Sequence, residues 1–198
     1  MNVMQLSVFS DIRANFMNMF SGFFNLVLWG HEHECRITPE KSVHGEHKSF
    51  HITQPGSSVA TSCIEGETKQ KRVGILHVHR QQFKIQEIPL KTVRPMIWRN
   101  VNLETEIPEI LSIIRDEKRN KEICRWLTDY VHDLINEEVP KLITGHPKQP
   151  KKPIIRVRVE YKNEEHQQQP VKLASEFQEK VQYFNFSSLV GFFTFKPD

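Results

Sequence analysis

The sequence has few cysteines and a small net charge. The first argues against a disulfide-stabilised protein, and the second argues against a chain that is basic overall. Three cysteines among 198 residues make no even disulfide framework, which favours a reducing compartment. Lysine and arginine total 27 against 24 acidic residues, so the formal net charge is only +3. No global basic character therefore demands nucleic acid, and any surface that binds it must be local.

The sequence also lacks an apolar run long enough to cross a membrane. Residues 14–29 carry no charge, but asparagine and serine interrupt them, and a span needs roughly 18–20 apolar residues. No basic segment followed by a small-residue cleavage site marks the run as a signal peptide. We interpret it as a helix followed by a strand, both buried in the folded protein. We expect no association with a membrane.

The first half of the chain predicts strands and loops. Asn25–Trp29 is a short continuous apolar run, which is typical of a strand buried on both faces. Ile37–Lys48 is polar and irregular, and Ser49–Gln54 alternates before a Pro-Gly turn. Arg72–Arg80 and Phe83–Ile88 both alternate around a short polar break, which predicts a β-hairpin.

The second half has helical spacing and one further strand. Residues 107–114 predict a helix, residues 116–121 a charged break, and Asn120 the cap of a second helix. The apolar stripe of that second helix consists of Ile123, Leu127, Tyr130, Val131, Leu134 and Ile135. Ile154–Tyr161 alternates as a strand, and Val171–Val181 predicts a last helix.

Two histidines follow the first apolar strand, in the segment Gly30-His31-Glu32-His33. Side chains at i and i+2 leaving a strand point the same way, so His31 and His33 can reach two neighbouring cations. Imidazole suits Mn²⁺, Fe²⁺ or Zn²⁺. The alternative is two surface histidines in an acidic turn.

A second metal interpretation adds Cys35 to these histidines. In a continuing strand, His31, His33 and Cys35 share one face, which would suit tetrahedral Zn²⁺. Further zinc ligands would come from His44, His47 and His51. The chain would then be an unrelated zinc-stabilised domain.

A cluster of cations surrounds the last alternating strand. Its members are Lys148, Lys151, Lys152, Arg156, Arg158 and Lys162. Arg156 and Arg158 should face one side of the strand, opposite the apolar side chains. Taken alone, this arrangement favours a solvated basic loop beside an edge strand, and the alternative is salt-sensitive contact with DNA phosphates.

Several segments together resemble the double-strand-break repair nuclease of the MRE-eleven family. They are Asn25–Cys35, Gln54–Ser62, Gly66-Glu67, Lys71–Leu76, Ile88–Arg94 and Pro153–Tyr161. The resemblance covers roughly residues 24–181. Residues 1–22 are unfamiliar, and the aromatic tail, residues 183–198, is atypical.

The resemblance implies an α/β fold in two parts. Residues 1–92 would be the C-terminal part of a metallophosphoesterase β-sandwich of the calcineurin-like kind. Residues 93–198 would be a small α/β capping domain that binds DNA. We therefore expect an N-terminally truncated member of the family.

The resemblance also implies metal binding and a nuclease activity for the family. Family members bind two Mn²⁺ ions and act as endonuclease and 3′-to-5′ exonuclease, and His31 and His33 match one ligand for each ion. Ser57 and Ser58 would lie near that centre and contact DNA, or would only shape the turn. The family's earlier ligand motifs are missing, because no glycine here precedes Asp or Asn. We predict weak or no Mn²⁺ binding by this chain alone, and no nuclease activity.

The family's partners follow from the same resemblance. They are DNA, an SMC-like ATPase, an FHA-domain protein and a second copy of the nuclease, in the nucleus. The ATPase-docking region would lie beyond the end of this chain and the FHA-binding insertion before its start. The alternative function is a non-catalytic module that binds DNA or a protein partner.

Overall fold

The computed structural model describes residues 3–7, 23–42, 50–113, 115–168 and 170–190. The expectations for His44, His47, Ile114, most of residues 1–22 and the end of the tail lie outside the described residues. The chain divides into two compact units, unit 1 (residues 1–93) and unit 2 (residues 94–198). Their assignment as phosphoesterase and capping domains stays a prediction.

Unit 1 contains a four-stranded sheet in the order β1-β2-β4-β3. The strands are β1 (Val3–Ser7), β2 (Leu26–Gly30), β3 (Arg36–Lys41) and β4 (His51–Gln54). β2 is parallel to both β1 and β4, whereas β3 pairs antiparallel with β4. The prediction of an irregular segment from Ile37 is wrong at its start. As an edge strand, β3 needs only one partner and leaves most of its polar side chains in solvent.

The described apolar core residues of this sheet come from the predicted strands. β2 buries the consecutive residues Leu26 and Val27, which confirms a strand covered on both faces. Val27 and Trp29 pack with Phe50 and Ile52 of the neighbouring segment.

The second sheet of unit 1 is the predicted hairpin. β5 (Arg72–His79) and β6 (Gln82–Pro89) pair antiparallel along their full length. Arg80 in the connecting turn has φ 55°, as a tight two-residue loop requires. His77 and His79 are exposed on this hairpin.

Unit 2 is built on a parallel three-stranded sheet with β8 in the centre. Its strands are β7 (Met96–Asn102), β8 (Ile154–Tyr161) and β9 (Tyr183–Val190). Between β7 and β8 lie α1 (Leu103–Glu106), α2 (Pro108–Leu111), α3 (Asp116–Asp133), a π-helical turn (Leu134–Glu138) and α4 (Val139–Leu142). α5 (Pro170–Glu176) connects β8 to β9 and ends before the predicted Val181.

The predicted break at residues 116–121 and the predicted helix cap at Asn120 are both wrong. α3 begins at Asp116, and Asn120 lies inside it. Two acidic residues, Asp116 and Glu117, occupy the first turn, where the helix dipole favours negative charge. Lys121 pairs with Glu117 one turn away at 3.0 Å. The charged run therefore extends the helix rather than interrupting it.

The core of unit 2 lies between its sheet and α3. β8 alternates between half-buried and buried residues, and Ile155, Val157, Val159 and Tyr161 are the buried ones. The predicted stripe of α3 packs against them through Ile123, Leu127 and Val131. Mixed helices and strands confirm the α/β class. No helix in the described part of the chain has the length and apolar content needed to cross a bilayer.

Candidate functional site

The two predicted metal-ligating histidines lie in a bend that follows β2. The strand ends at Gly30, and His31, which is exposed, adopts φ 73°. The side chain of His33 is 40% exposed. Because the strand does not continue to Cys35, the zinc interpretation based on one strand face is wrong.

The backbone of this bend is held by buried polar groups. The Lys71 ammonium donates to the His33 carbonyl at 3.1 Å, and the Ser57 amide approaches the same oxygen at 3.3 Å. The Gln54 side chain donates to the Glu34 carbonyl at 3.1 Å. The segment that carries His33 is therefore fixed by donors from β4, from the turn after it and from the residue that precedes β5.

The turn after β4 approaches the histidine bend closely at Gly56. This glycine has φ 72°, and an added Cβ atom would lie 2.7 Å from the carbonyl oxygens of His33 and Glu34. Only glycine fits both the angle and the approach. Ser57 then directs its hydroxyl inward, whereas Ser58 is exposed.

A buried ion pair lies beneath the bend. Glu67 and Lys71 form a salt bridge, and their side chains are 0% and 1% exposed. The carboxylate also accepts from Ser57 Oγ at 2.7 Å, from the Thr61 amide at 2.9 Å and from the Ser62 amide at 3.2 Å. Burial alone raises the pKa of Glu67, but the hydrogen bonds from Lys71, Ser57 and Thr61 outweigh it and lower the pKa to about 2.

The same carboxylate reaches the ring of His33. His33 Nδ1 lies 3.0 Å from Glu67 Oε1 and 2.8 Å from the Thr61 hydroxyl oxygen. Thr61 Oγ1 in turn lies 2.7 Å from Glu67 Oε1. Because Nδ1 is engaged, Nε2 on the far side of the ring is the nitrogen that suits a cation.

His33 therefore fits as an imidazole ligand through Nε2, but the described residues do not form a complete centre. The expectation that strand alternation makes His31 and His33 point the same way is wrong, because β2 ends at Gly30 and His31 adopts φ 73°. Within the described residues, no group of three or more His, Cys, Asp or Glu side chains is placed to hold a metal ion. Two neutral imidazoles supply no charge to offset a dication. The metal-binding role of His31 and His33 stays a prediction.

The lysines of the predicted DNA surface lie on a braced loop. Lys148, Lys151 and Lys152 are exposed, but Gln149 between them is only 8% exposed. Gln149 Oε1 accepts from the Thr144 amide at 2.7 Å, and Gln149 Nε2 donates to the carbonyl of the last α4 residue at 3.1 Å. The loop is thus anchored at its middle.

The two arginines of this surface lie on β8. Arg156 and Arg158 are half-buried on the face opposite the core, as the alternation predicted. Glu160 Oε1 lies 3.7 Å from an Arg158 nitrogen and accepts from Asn100 at 3.0 Å. The charge of Arg158 is therefore partly balanced by a neighbouring carboxylate on the same strand.

Some residues that build these surfaces were not predicted. Glu67 and Lys71 entered only as parts of matching segments, and their i,i+4 spacing indicates an ion pair only on a helix, whereas the 3₁₀ turn ends at Thr68. Gln149 lies in a proline-rich basic loop that looks solvated. Arg94, which donates to the Lys152 carbonyl at 2.7 Å, is 58 residues away in sequence.

Comparison with known proteins identifies the relatives of this chain. The family model "Mre11 DNA-binding presumed domain" matches residues 83–196. The double-strand break repair protein MRE11 of Coprinopsis cinerea is 38% identical over 181 residues, covering 82% of this chain and 23% of the relative. MRE11 of Gallus gallus is 41% identical and MRE11 of Homo sapiens 38% identical, each over 140 residues.

The two vertebrate proteins match 70% of this chain and 19% of their own length. The chain thus spans about a fifth of the length of the curated relatives it matches. The similarity includes most of unit 2. It confirms the predicted resemblance, and the chain belongs to the MRE11 family of double-strand break repair proteins.

Proposed function

We propose that this chain acts in DNA double-strand break repair and binds DNA through unit 2. The observation that carries the proposal is the match of residues 83–196 to the family's presumed DNA-binding domain. The cations on the loop before β8 and on β8 itself lie within that match. They form what we name the basic surface: Lys148, Lys151, Lys152, Arg156 and Arg158.

The geometry of the basic surface favours contact with phosphates. Its lysines are exposed on a loop that Gln149 anchors, so they lose less freedom when they bind than lysines on a loose segment. The arginines lie two residues apart on one strand face. Contacts of this kind do not depend on base sequence, which suits a protein that acts wherever DNA breaks.

Charge reversal tests the basic surface. We expect Lys151→Glu/Lys152→Glu to weaken binding to a blunt-ended duplex, measured by fluorescence anisotropy at several salt concentrations. The slope of log affinity against log salt should fall by about 0.9 for each phosphate that the variant no longer neutralises. Lys118→Glu/Lys121→Glu on α3 is the matched control, because it changes the net charge equally. Equal effects of the two pairs would contradict the proposal.

We also propose that His31 and His33 are the imidazole ligands of the Mn²⁺ centre that the family resemblance implies. A divalent cation, when bound, supplies Lewis-acid stabilisation of the charge that develops on a phosphodiester. Further ligands with negative charge are needed beside these two residues, so we expect the chain alone to bind Mn²⁺ weakly and to show no nuclease activity.

Calorimetric titration with MnCl₂ tests the ligand role. We expect weak binding that His31→Asn/His33→Asn abolishes. His77→Asn/His79→Asn is the matched control, since these histidines are exposed on the hairpin with the same spacing. Two tight sites in the unmodified chain would contradict the expectation of a partial centre.

The wider setting is proposed from the family resemblance. It comprises an SMC-like ATPase, an FHA-domain protein, a second copy of the chain and a nuclear location. Co-purification of the chain with each candidate protein partner tests the proposed partners one at a time.

A further inference from the structure

Glu67 lies beneath the histidine bend, where its carboxylate accepts several hydrogen bonds. It lies on a 3₁₀ turn, Glu65–Thr68, and its carboxylate is completely buried. Donors from Ser57, Thr61 and Ser62 surround it, and Lys71 balances its charge. A buried carboxylate with this many donors has a fixed position, because any movement would break several hydrogen bonds at once.

The contacts of Glu67 determine which nitrogen of His33 carries the hydrogen. Thr61 has one hydroxyl hydrogen, and the carboxylate oxygen 2.7 Å away is its strongest acceptor. The Thr61 oxygen therefore faces His33 Nδ1 as an acceptor, at 2.8 Å. Glu67 Oε1, at 3.0 Å from Nδ1, can only accept. Both neighbours require a hydrogen on Nδ1, since a lone pair there would face two oxygen lone pairs.

The same network holds the backbone of His33. Lys71, which pairs with Glu67, donates to the His33 carbonyl at 3.1 Å. Ser57 bridges the two by accepting from Lys71 at 2.9 Å and donating to Glu67 at 2.7 Å. One buried ion pair thus fixes both the ring and the peptide group of a single residue.

We infer that Glu67 is a positioning residue for His33. Glu67 holds the neutral His33 ring as the Nδ1–H tautomer, and the Nε2 lone pair is then left for a divalent cation. A carboxylate hydrogen-bonded to the far nitrogen of an imidazole fixes its orientation and raises its basicity as a ligand. The value of this arrangement to the protein rests on the proposed metal role of His33. The tautomer itself is a property of the metal-free chain.

Nitrogen-15 NMR of the histidine-labelled full chain, without metal and at mildly alkaline pH, measures the tautomer directly. The ring signals that disappear in His33→Asn are those of His33. We expect the Nδ1–H form to dominate at His33. A dominant Nε2–H form in the unmodified chain would overturn the inference.

A double variant tests the role of Glu67 without leaving a buried charge unpaired. In Glu67→Met/Lys71→Met we expect His33 to change to a mixture of tautomers. Glu65→Met removes an exposed carboxylate from the same 3₁₀ turn and should leave the Nδ1–H form dominant. A folded double variant that retains the wild-type tautomer would show that Glu67 does not set it. If the double variant does not fold, Glu67→Gln is assessed in the same way, since a carboxamide can donate to Nδ1 as well as accept from it.

Titration with MnCl₂ separates this inference from the proposed function. Paramagnetic broadening of the His33 ring signals should need roughly tenfold more Mn²⁺ in the double variant than in the unmodified chain. Equal requirements would contradict the positioning role. If His33 is the Nδ1–H tautomer but never broadens before His77 and His79, the metal-ligand proposal fails and the hydrogen-bonding assignment stands.

Discussion

The two units of the chain differ in what they bury. Among the described residues of unit 1, an ion pair and several polar side chains are buried around one bend, and the apolar cluster has four buried members. Where the structure describes the side chains of unit 2, sixteen apolar residues are buried in one cluster, and the buried polar side chains lie outside it. The first unit uses its interior to position a histidine, whereas the second uses its interior to hold a sheet and helices together.

This difference predicts different sensitivities to mutation. A buried ion pair adds little net stability relative to apolar side chains, but removal of one partner leaves an uncompensated charge. An apolar core loses stability in proportion to the volume removed. Unit 1 should therefore respond most to changes of charge and unit 2 to changes of size.

The largest effect is expected from Lys71→Met. This substitution leaves the buried Glu67 carboxylate without its cation, and loss of one partner of a buried pair costs about 3–5 kcal/mol. Hydrogen exchange followed by mass spectrometry should show faster exchange in β2 and β4. Exchange in α3 should change less.

The control for this prediction is Lys69→Met, two residues away. Lys69 is 59% exposed and lies 3.9 Å from Glu34, so the loss of this surface pair should cost less than about 1 kcal/mol. If the two lysine variants destabilise the chain equally, the distinction between a buried and a surface pair does not hold.

The next effect is expected from Leu127→Ala in unit 2. Leu127 is completely buried on α3, and truncation of a buried leucine costs about 2–5 kcal/mol. Urea denaturation followed by circular dichroism measures it, because the described α-helices all lie in unit 2. Leu142→Ala, at a leucine that is 40% exposed, should have a much smaller effect. A loss of stability at Leu142 as large as at Leu127 would contradict the assignment of the core.

A smaller effect is expected from the removal of a buried polar side chain in unit 2, that of Gln149. Gln149→Ala keeps every charge of the basic surface but removes the anchor of its loop. We expect affinity for DNA to fall about three- to tenfold, because roughly 1 kcal/mol of ordering is then required on binding. Gln167→Ala, at an exposed glutamine in another loop, is the control. Unchanged affinity in Gln149→Ala would show that the anchor does not serve binding.

The elements that followed from the sequence are those whose pattern is local. The alternation of β5, β6 and β8 and the stripe of α3 depend on neighbours within one element, so periodicity revealed them. β7 was not predicted, because Trp98, Arg99 and Asn100 break its alternation and its pairing partner begins more than 50 residues later. The contacts of His33 likewise join residues that are distant in the sequence. Glu67 lies 34 residues from it, and nothing in the sequence alone indicates that a chain bend brings them together.

The smallest expected effect is the change of stability with pH, and its pH range differs between the two units. His166 is 4% exposed; burial lowers its pKa, and the Arg119 guanidinium lowers it further, against the opposing influence of three carboxylates. The unfolded chain then takes up a proton near pH 6.5 that the folded unit resists, so stability is full above that pH and falls as pH decreases below it. Glu67 acts in a lower range, since its contribution is present above about pH 4.5 and is lost as pH falls towards 2.

Urea midpoints of the helical signal between about pH 8 and pH 5 test this separation. The unmodified chain should lose stability below pH 6.5, and His166→Gln should show a flatter profile. His79→Gln, at an exposed histidine of unit 1, should keep the wild-type profile. A profile that His166→Gln leaves unchanged would place the proton uptake elsewhere. A decline that His166→Gln removes would show that mild acid acts on the unit with the larger apolar cluster, because the described α-helices that give the signal lie in unit 2.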